Sequence, residues 1–154
     1  MNAQELISIL DLQPHPEGGY YKETYRAAQI INDRNVSTAI FYLLEDKDRS
    51  HFHRIKSDEL WFYHSGEPLE LLMIQNDQIT TIILGNDIAN GQVLQAIIPA
   101  NTWFAAKVRD GVGYSLFSCT VAPGFDFADF ELAERQELLG QFPRLSTIIQ
   151  AFTT

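Results

Sequence analysis

The sequence predicts an all-β domain, a β-sandwich or small barrel, with short helices at both ends of the chain. Within about 100 residues, about eight or nine short runs of β-branched and aromatic residues are separated by turn residues, at the spacing of a sandwich or barrel. Both terminal segments instead carry apolar residues at helical spacing. No repeat or linker divides the 154 residues, so one domain is expected over residues 1–154.

The predicted helices bracket the β-rich part of the chain. The N-terminal helix is expected over residues 3–11 and to end before Pro14 and Pro16, because proline cannot continue a helix. The barrel core is expected over residues 20–121. Over residues 126–152 the apolar spacing again favours helix, interrupted at Gly140 and Pro143 before a last short helix at residues 145–152.

The strands are assigned from runs of β-forming residues between turn signals. The clearest pair is a hairpin with Asn76 and Asp77 in its turn, since both residue types tolerate a left-handed backbone. The run at 36–44 is apolar almost throughout, which favours burial on both faces or a central position in a sheet. In order, strands are expected at residues 20–25, 36–44, 49–54, 59–64, 69–74, 79–84, 93–98, 102–108 and 113–121.

The composition disfavours several classes of partner. The net charge is −9, and the 11 lysines and arginines are scattered, whereas nucleic-acid and anionic-membrane surfaces are bound by clustered basic residues. No apolar run approaches the roughly 20 residues that span a bilayer. Phosphate-loop and nucleophile-elbow motifs are absent as well. We therefore expect neither a nucleic-acid nor a membrane partner.

The cysteine content and the N-terminus bear on localisation. Cys119 is the single cysteine, so no intramolecular disulfide is possible, as is typical of a reducing compartment. In its β-rich surroundings a buried structural thiol is expected rather than a nucleophile. The first residues lack the basic and apolar regions of a secretion signal. Together these observations predict a cytoplasmic protein.

The segment with the strongest chemical signal is His51-Phe52-His53. In a strand, residues two apart project from the same face, so both imidazoles are expected close enough to share a metal ion or a substrate. Two carboxylates, Asp58 and Glu59, open the next strand. Imidazole and carboxylate together suit a divalent metal or a metal-free acid/base pair. The alternative is surface histidines on an edge strand, which the neighbouring aromatic residues disfavour.

These residues resemble the first motif of the cupin superfamily, in which two histidines and a glutamate on adjacent strands of a jelly-roll barrel bind a metal. His51, His53 and Glu59 match it, and Gly66 follows after six intervening residues. The interval from His53 to Glu59 is longer than in the usual motif. Asp58 would restore that interval, but Glu59 keeps the interval to Gly66 and is preferred.

The second cupin motif has a proline, a glycine and a histidine that supplies a fourth metal ligand. Here Pro99 is present, Asn101 stands in place of the glycine, and Phe104 occupies the histidine position. Phenylalanine cannot coordinate a metal. The resemblance therefore implies a divalent metal (Fe, Mn or Zn) that is weakly held at the three remaining positions or absent.

A more specific likeness covers about residues 5–135. The sequence is similar to the small single-domain cupins known as domain of unknown function 985, a family without an assigned function. That resemblance implies a jelly-roll barrel, which hosts many unrelated activities. The motifs that carry it are the segments 15–21, 50–54, 57–61, 103–106 and 121–125.

Further residues are candidates for the cavity of such a barrel. If Glu59 faces the interior, strand alternation turns Trp61 and Tyr63 inward as well, and Trp61 is assigned to ligand binding. Tyr63 is then either a phenolic general acid or an aromatic wall. Glu17 lies in a loop bounded by proline and glycine and is expected at the cavity mouth, with a surface charge as the alternative.

Aromatic residues are expected to complete the wall. Tyr20 and Tyr21 alternate in direction, so one of them lines the cavity, and Tyr20 is the residue assigned. Trp103 lies beside the lost ligand position and either stacks on a ligand or packs in the core. Phe125, Phe127 and Phe130 are expected to dock the C-terminal segment onto the barrel rather than to line a site.

Three functions are open at this point. The favoured hypothesis is a metal-free isomerase or epimerase acting on a carbohydrate-like or carbonyl-bearing molecule, with a histidine base, Glu59 to orient it, and Tyr63 or Tyr20 as the acid. The second is a metallo-cupin with a site at His51, His53 and Glu59, an oxygenase or isomerase. The third is a non-catalytic ligand-binding or storage-like module.

The expected partners are a small-molecule ligand and a second copy of the chain. Jelly-roll barrels leave edge strands that need covering, and the run at 36–44 is too apolar to face water. A homodimer is therefore predicted.

Overall fold

Two antiparallel β-sheets face each other and enclose the core, so the predicted jelly-roll barrel is confirmed. The computed structural model describes all 154 residues. The first sheet contains, in spatial order, β1 (Gln13–Pro14), β2 (Tyr20–Arg26), β5 (Thr38–Glu45), β12 (Tyr114–Ala122), β7 (Asp58–Gly66) and β10 (Gln95–Ile98). The second contains β13 (Glu131–Leu132), β6 (Arg49–Arg54), β11 (Phe104–Val108), β8 (Leu69–Gln75) and β9 (Gln78–Leu84). A separate hairpin joins β3 (Ile30–Ile31) to β4 (Arg34–Asn35).

The barrel core consists of side chains that alternate strands direct between the two sheets. Phe117 lies nearly parallel to Tyr42 and Trp61, with ring centroids 5.1 Å and 4.6 Å away. Burying such rings stabilises the fold by about 25 cal/mol per Å² of apolar surface removed from water. Strand β5 lies between β2 and β12, which confirms the central position predicted for the apolar run, although the strand begins at Thr38.

The hairpin predicted around Asn76 and Asp77 is also confirmed. Strands β8 and β9 pair over their full length, from Leu69 opposite Leu84 to Gln75 opposite Gln78. The two turn residues have φ angles of 52° and 58°, the left-handed conformation that a two-residue hairpin turn requires.

The N-terminal helix α1 (Ala3–Ile9) is shorter than the predicted helix over residues 3–11. It begins with a capping box in which Asn2 and Glu5 exchange hydrogen bonds of 2.9 Å. Asp11 has a left-handed backbone (φ 54°), so the chain turns before the prolines are reached. The helix packs on the outer side of the first sheet, against Leu43.

The C-terminal segment has the predicted interruption at Pro143 and the predicted last short helix, but the helix expected from residue 126 is absent from residues 126–134. It starts with a single 3₁₀ turn (Phe127–Asp129) and then β13, whose pairing with β6 extends the second sheet. Helix begins only with α2 (Arg135–Gln141), and α3 (Ser146–Ala151) follows after a 3₁₀ turn. The prediction failed because the aromatic residues of this stretch pack on the barrel end rather than on a helix face. The two helices cover the outer side of the second sheet through Phe52, Leu72, Trp103, Leu138, Ile149 and Phe152.

No helix of the chain is both long enough and apolar enough to cross a membrane.

Candidate functional site

A small cavity of about 40 Å³ lies at one end of the barrel, where β5 and β7 begin and β6 and β12 end. Three residues predicted for the site line it: Glu17, His53 and Glu59. Space of this size holds about three water-sized groups. The complete lining is His15, Glu17, Tyr21, Thr38, Ile40, His53, Ile55, Glu59, Cys119, Val121, Phe125 and Phe130.

A tight loop before β2 brings Glu17 into the cavity. Gly18 has a φ of 113°, and a Cβ atom at this position would lie 1.9 Å from the carbonyl oxygen of Arg49 in β6. Only glycine allows this approach. The backbone N–H and the ring Nδ1 of His51 both contact the carbonyl oxygen of Glu17, each at 2.8 Å. The loop is therefore docked against β6, and its carboxylate faces His53.

Glu17 and His53 form a buried ion pair. The Nε2 atom of His53 lies 2.7 Å from Oε2 of Glu17, and both side chains are about 5% exposed or less. The Nδ1 atom lies 2.8 Å from the carbonyl oxygen of His51, which can only accept a hydrogen bond. Both ring nitrogens therefore act as donors, as in an imidazolium.

The electrostatics of the pair agree with this assignment. Burial opposes the charge on His53, but the adjacent Glu17 carboxylate outweighs it and raises the pKa of the imidazole. Burial likewise opposes ionisation of Glu17, but the charge of His53, aided by His15, keeps the pKa of this carboxyl below its ordinary value. Both shifts favour the charged pair, a cation beside an anion.

Tyr42 lies beneath the loop and supports it. Its hydroxyl group donates a hydrogen bond to the carbonyl oxygen of Gly18. Burial, followed by the negative charge of Glu17, raises the pKa of Tyr42 well above its ordinary value. The phenol therefore stays neutral and acts as a fixed donor beneath the ion pair.

Glu59 is the second carboxyl group of the cavity, and its environment differs from that of Glu17. Its Oε1 atom accepts a hydrogen bond of 2.9 Å from the indole Nε1 of Trp61. Burial, reinforced by the charge of Glu17 and only partly offset by His53, raises its pKa from 4.5 to about 7. Asp58 is exposed and accepts a hydrogen bond of 2.8 Å from the backbone N–H of Ala100. Glu59, and not Asp58, is therefore the cavity carboxylate.

His15 is the second imidazole of the cavity. Its Nδ1 atom accepts a hydrogen bond of 3.1 Å from the backbone N–H of Glu17, so the neutral ring carries its proton on Nε2. Burial and the charge of His53 lower its pKa despite the nearby Glu17. The ring packs edge-on against Tyr21, with centroids 4.5 Å apart. His15 is therefore a neutral N–H donor near the ion pair.

Two residues expected at the catalytic centre lie elsewhere. Strand β6 pairs Ser50 with Ala106 but His53 with Phe104, so β6 holds one extra residue, a bulge that breaks the alternation between the two histidines. His51 therefore binds the Glu17 loop and does not line the cavity. Tyr63 packs against the core, as predicted, but does not line the cavity.

The hydroxyl group of Tyr63 donates to the carbonyl oxygen of Gly66 at 2.6 Å, at the far end of β7. Strand alternation gave its direction correctly but not its depth along the barrel. This residue is not placed to act as the acid of the site.

The predicted aromatic wall also differs from the observed one. Tyr20 packs outward beneath α1, and Tyr21 lines the cavity instead, because Tyr21 pairs with the inward-facing Tyr42. Trp103 lies on the outer side of the second sheet, with the guanidinium of Arg54 4.3 Å from its ring centroid. Trp61 does not line the cavity, but its indole N–H donates a hydrogen bond to Glu59.

Several site residues were missed from the sequence. Phe125 and Phe130 line the cavity, whereas they had been expected only to dock the C-terminal segment. His15 lies in the proline-rich loop before β2. The sequence does not show how closely this loop approaches β6, so it gave no reason to place His15 in the site. Cys119 faces inward by alternation and lines the cavity together with Glu59. Burial, and then the charge of Glu59, raise the pKa of the thiol well above its ordinary value. The thiol is thus neutral, as predicted for a structural cysteine.

The side chains at the positions of the cupin metal motif do not fit a metal ion. No three His, Cys, Asp or Glu side chains are grouped so that they could hold one. Both ring nitrogens of His53 are already bound, by Glu17 and by a carbonyl oxygen. Phe104 lies 4.0 Å from the His53 ring, centroid to centroid, at the fourth-ligand position. We therefore derive no chemistry that passes through a metal.

Comparisons with known proteins show to which family the chain belongs. The family model described as Cupin superfamily (DUF985) matches residues 4–133. A solved structure of a protein from Shewanella oneidensis is 36% identical, with a TM-score of 0.95 over 100% of this chain and 98% of that one. A hypothetical protein from Leishmania major is 35% identical, with a TM-score of 0.94 over 99% of each chain. An uncharacterised protein from Saccharomyces cerevisiae is 29% identical over 157 residues, or 90% of this chain and 78% of the yeast protein. The chain therefore belongs to the cupin superfamily, in the family DUF985.

Proposed function

We propose that this protein is an enzyme that moves a proton at a carbon next to a carbonyl group, and so isomerises or epimerises a small carbohydrate-like molecule without a metal. The observation that carries the proposal is Glu59, a buried carboxyl group with a pKa of about 7 in the same cavity as the His53–Glu17 ion pair. A general base is most effective when its pKa lies near the working pH.

The cavity residues divide the proposed reaction between them. The ionised form of Glu59 accepts the proton, and the electron pair of the broken C–H bond moves into the carbonyl group to form an enolate. The Nε2–H group of His15 stabilises the enolate oxygen, since both ring nitrogens of His53 are already bound. For isomerisation, the proton of the hydroxyl group on the first carbon moves to the enolate oxygen, and Glu59 returns its proton to the former carbonyl carbon, so that the first carbon becomes the new carbonyl carbon. For epimerisation, a proton from solvent is added to the first carbon on the opposite face, and Glu59 releases its own proton to solvent.

The ion pair has a positioning role in this scheme. Glu17 keeps His53 charged, and the charge of His53 in turn favours the ionised form of Glu59. Without His53, burial would raise the pKa of Glu59 further and leave too little base at neutral pH. The three residues therefore act as one coupled unit.

Proton exchange with solvent tests this function. The protein is incubated in D₂O at about neutral pH with hydroxyacetone, dihydroxyacetone or glyceraldehyde, and loss of the proton signal next to the carbonyl group is followed by NMR. We expect exchange above the buffer rate, and Glu59→Gln to slow it by about 100-fold or more, the usual contribution of a general base. Asp58→Asn, which changes the adjacent exposed carboxylate, is the matched control and should keep the wild-type rate.

The same experiment separates the alternatives. Binding without any exchange would favour the non-catalytic ligand-binding module. One tightly held metal per chain, with exchange lost on chelation, would favour the metallo-cupin. Exchange at the wild-type rate in Glu59→Gln would remove this residue from the reaction.

A further inference from the structure

We infer that the cavity selects a ligand without negative charge, a small neutral hydroxycarbonyl compound rather than a phosphorylated or carboxylated one. The inference deepens the proposed function and rests on it for the carbonyl group alone. The charge selection follows from the side chains that line the cavity and from where the nearby cationic groups are bound.

The lining holds two carboxyl groups and no lysine or arginine. The positive charge of His53 is already matched by Glu17 at 2.7 Å. Glu59 receives a hydrogen bond from the indole of Trp61, but it has no cationic partner of its own within hydrogen-bond distance. The net charge of the lining is therefore zero or negative, and an anion would meet repulsion without a compensating ion pair.

Cationic groups near this end of the barrel are committed elsewhere. Arg34 binds Asp129 at 2.8 Å, and the exposed Lys56 lies 3.9 Å from the same carboxylate. Arg54 binds Glu131 at 2.8 Å outside the barrel. None of these side chains lines the cavity. Recognition of a phosphate or carboxylate normally uses such groups or helix N-termini, and this cavity offers neither.

The remaining walls favour a compact, partly apolar ligand. Ile40, Ile55 and Val121 face the acid/base residues, together with the rings of Phe125 and Phe130. A cavity of about 40 Å³ admits a three-carbon fragment better than a nucleotide-linked sugar. The polar groups then orient hydroxyl and carbonyl oxygens, and the apolar wall accepts the carbon skeleton.

An isosteric pair of probes tests the charge selection directly. Pyruvamide and pyruvate have the same number of non-hydrogen atoms and differ in charge; hydroxyacetone serves as a second neutral probe. Binding is followed by the NMR signal of the Trp61 indole N–H, which contacts Glu59 and is one of two indole signals in the protein. We expect the neutral probes to bind at least about tenfold more tightly than pyruvate, a difference of about 1.4 kcal/mol.

A variant links the selection to its cause. In Glu59→Gln the difference in affinity between pyruvamide and pyruvate should become smaller, because one ionisable group is removed from the cavity. Asp58→Asn should leave this difference unchanged. The inference would be overturned if pyruvate bound as tightly as pyruvamide, or if neither neutral probe bound. It would also be overturned if the difference in affinity were unchanged in Glu59→Gln. Selective binding of the neutral probes without proton exchange would instead leave the inference intact and overturn only the proposed reaction.

Discussion

At the scale of single residues, the cavity separates two glutamates by environment. Glu17 faces an imidazolium at 2.7 Å and ionises easily, whereas Glu59 is buried beside an indole and a thiol and holds its proton up to about pH 7. Two carboxyl groups with pKa values pushed apart are typical of acid/base sites. This contrast has consequences for stability as well as for reactivity.

Glu59→Gln should make the folded state more stable at alkaline pH. The folded protein retains the Glu59 proton between pH 4.5 and about 7 while the unfolded chain releases it, so wild-type stability falls as the pH rises through this window. The variant escapes this loss, which is on the order of 3 kcal/mol at pH 8. Urea unfolding of both proteins at pH 4 and pH 8 measures it. Equal stability at pH 8 would contradict the raised pKa.

Glu17→Gln should lower the pKa of His53. Glu17 is the main group that holds this imidazole in its charged form, and burial alone favours the neutral ring. NMR titration of the histidine side chains measures the change. An unchanged His53 titration in the variant would show that the ion pair does not form.

The sequence identified three cavity residues correctly and assigned two of them to the wrong partner. His53 and Glu59 were expected to form the imidazole–carboxylate pair, but the partner of His53 is Glu17, about 36 positions earlier in the chain. Such a pairing depends on how closely a loop approaches a strand, and a single sequence does not contain that distance. The choice of Glu59, by contrast, followed from its interval to Gly66 in the cupin motif, and strand alternation then gave the inward direction of Tyr63.

At the scale of structural elements, the loop at residues 15–19 and the bulge in β6 together build the site. The bulge turns His51 away from the cavity and leaves it to bind the carbonyl oxygen of Glu17. Strand positions were predictable because β-forming runs and turn residues mark them. The bulge was not, because one extra residue in a strand leaves the residue pattern nearly unchanged.

Gly18→Ala should displace this loop. The added Cβ atom would lie 1.9 Å from the carbonyl oxygen of Arg49, and the φ of 113° is strained for alanine. We expect a loss of about 1–3 kcal/mol in the free energy of unfolding, together with a lowered pKa of His53 as Glu17 withdraws. Gly140→Ala, in α2 with no atom near the added Cβ, is the matched control and should be neutral or stabilising. Wild-type behaviour of Gly18→Ala in both measurements would contradict the role of the loop.

At the scale of the whole molecule, the barrel was predictable and its outer surfaces were less so. Burial of the apolar run in β5 is explained within one chain, since the strand is central and α1 covers part of its outer side. Away from α1, the outer side of the first sheet carries the half-buried Leu60 and Phe62 and the exposed Ile97. A homodimer that used this surface would remove these apolar side chains from water.

The homodimer therefore stays a prediction with a defined surface. Sedimentation at micromolar concentration should give twice 17.5 kDa, and Phe62→Lys should reduce it to the mass of one chain, because a lysine there would be buried without a partner. Thr81→Lys, at an exposed position of β9 in the second sheet, serves as a control for charge alone. A wild-type protein that sediments as one chain would contradict the prediction.

The central claim concerns the buried carboxyl group near neutrality, and the indole N–H of Trp61 reports on it directly. This N–H donates to Glu59 at 2.9 Å, so its NMR shift should follow the ionisation of the carboxyl group. Trp103→Phe assigns the signal, since the protein has two tryptophans. In chelator-containing buffer we predict a titration with a midpoint at about pH 7 that is lost in Glu59→Gln and kept in Asp58→Asn. A midpoint at the ordinary carboxyl value of 4.5, or a titration that persists in Glu59→Gln, would contradict the account.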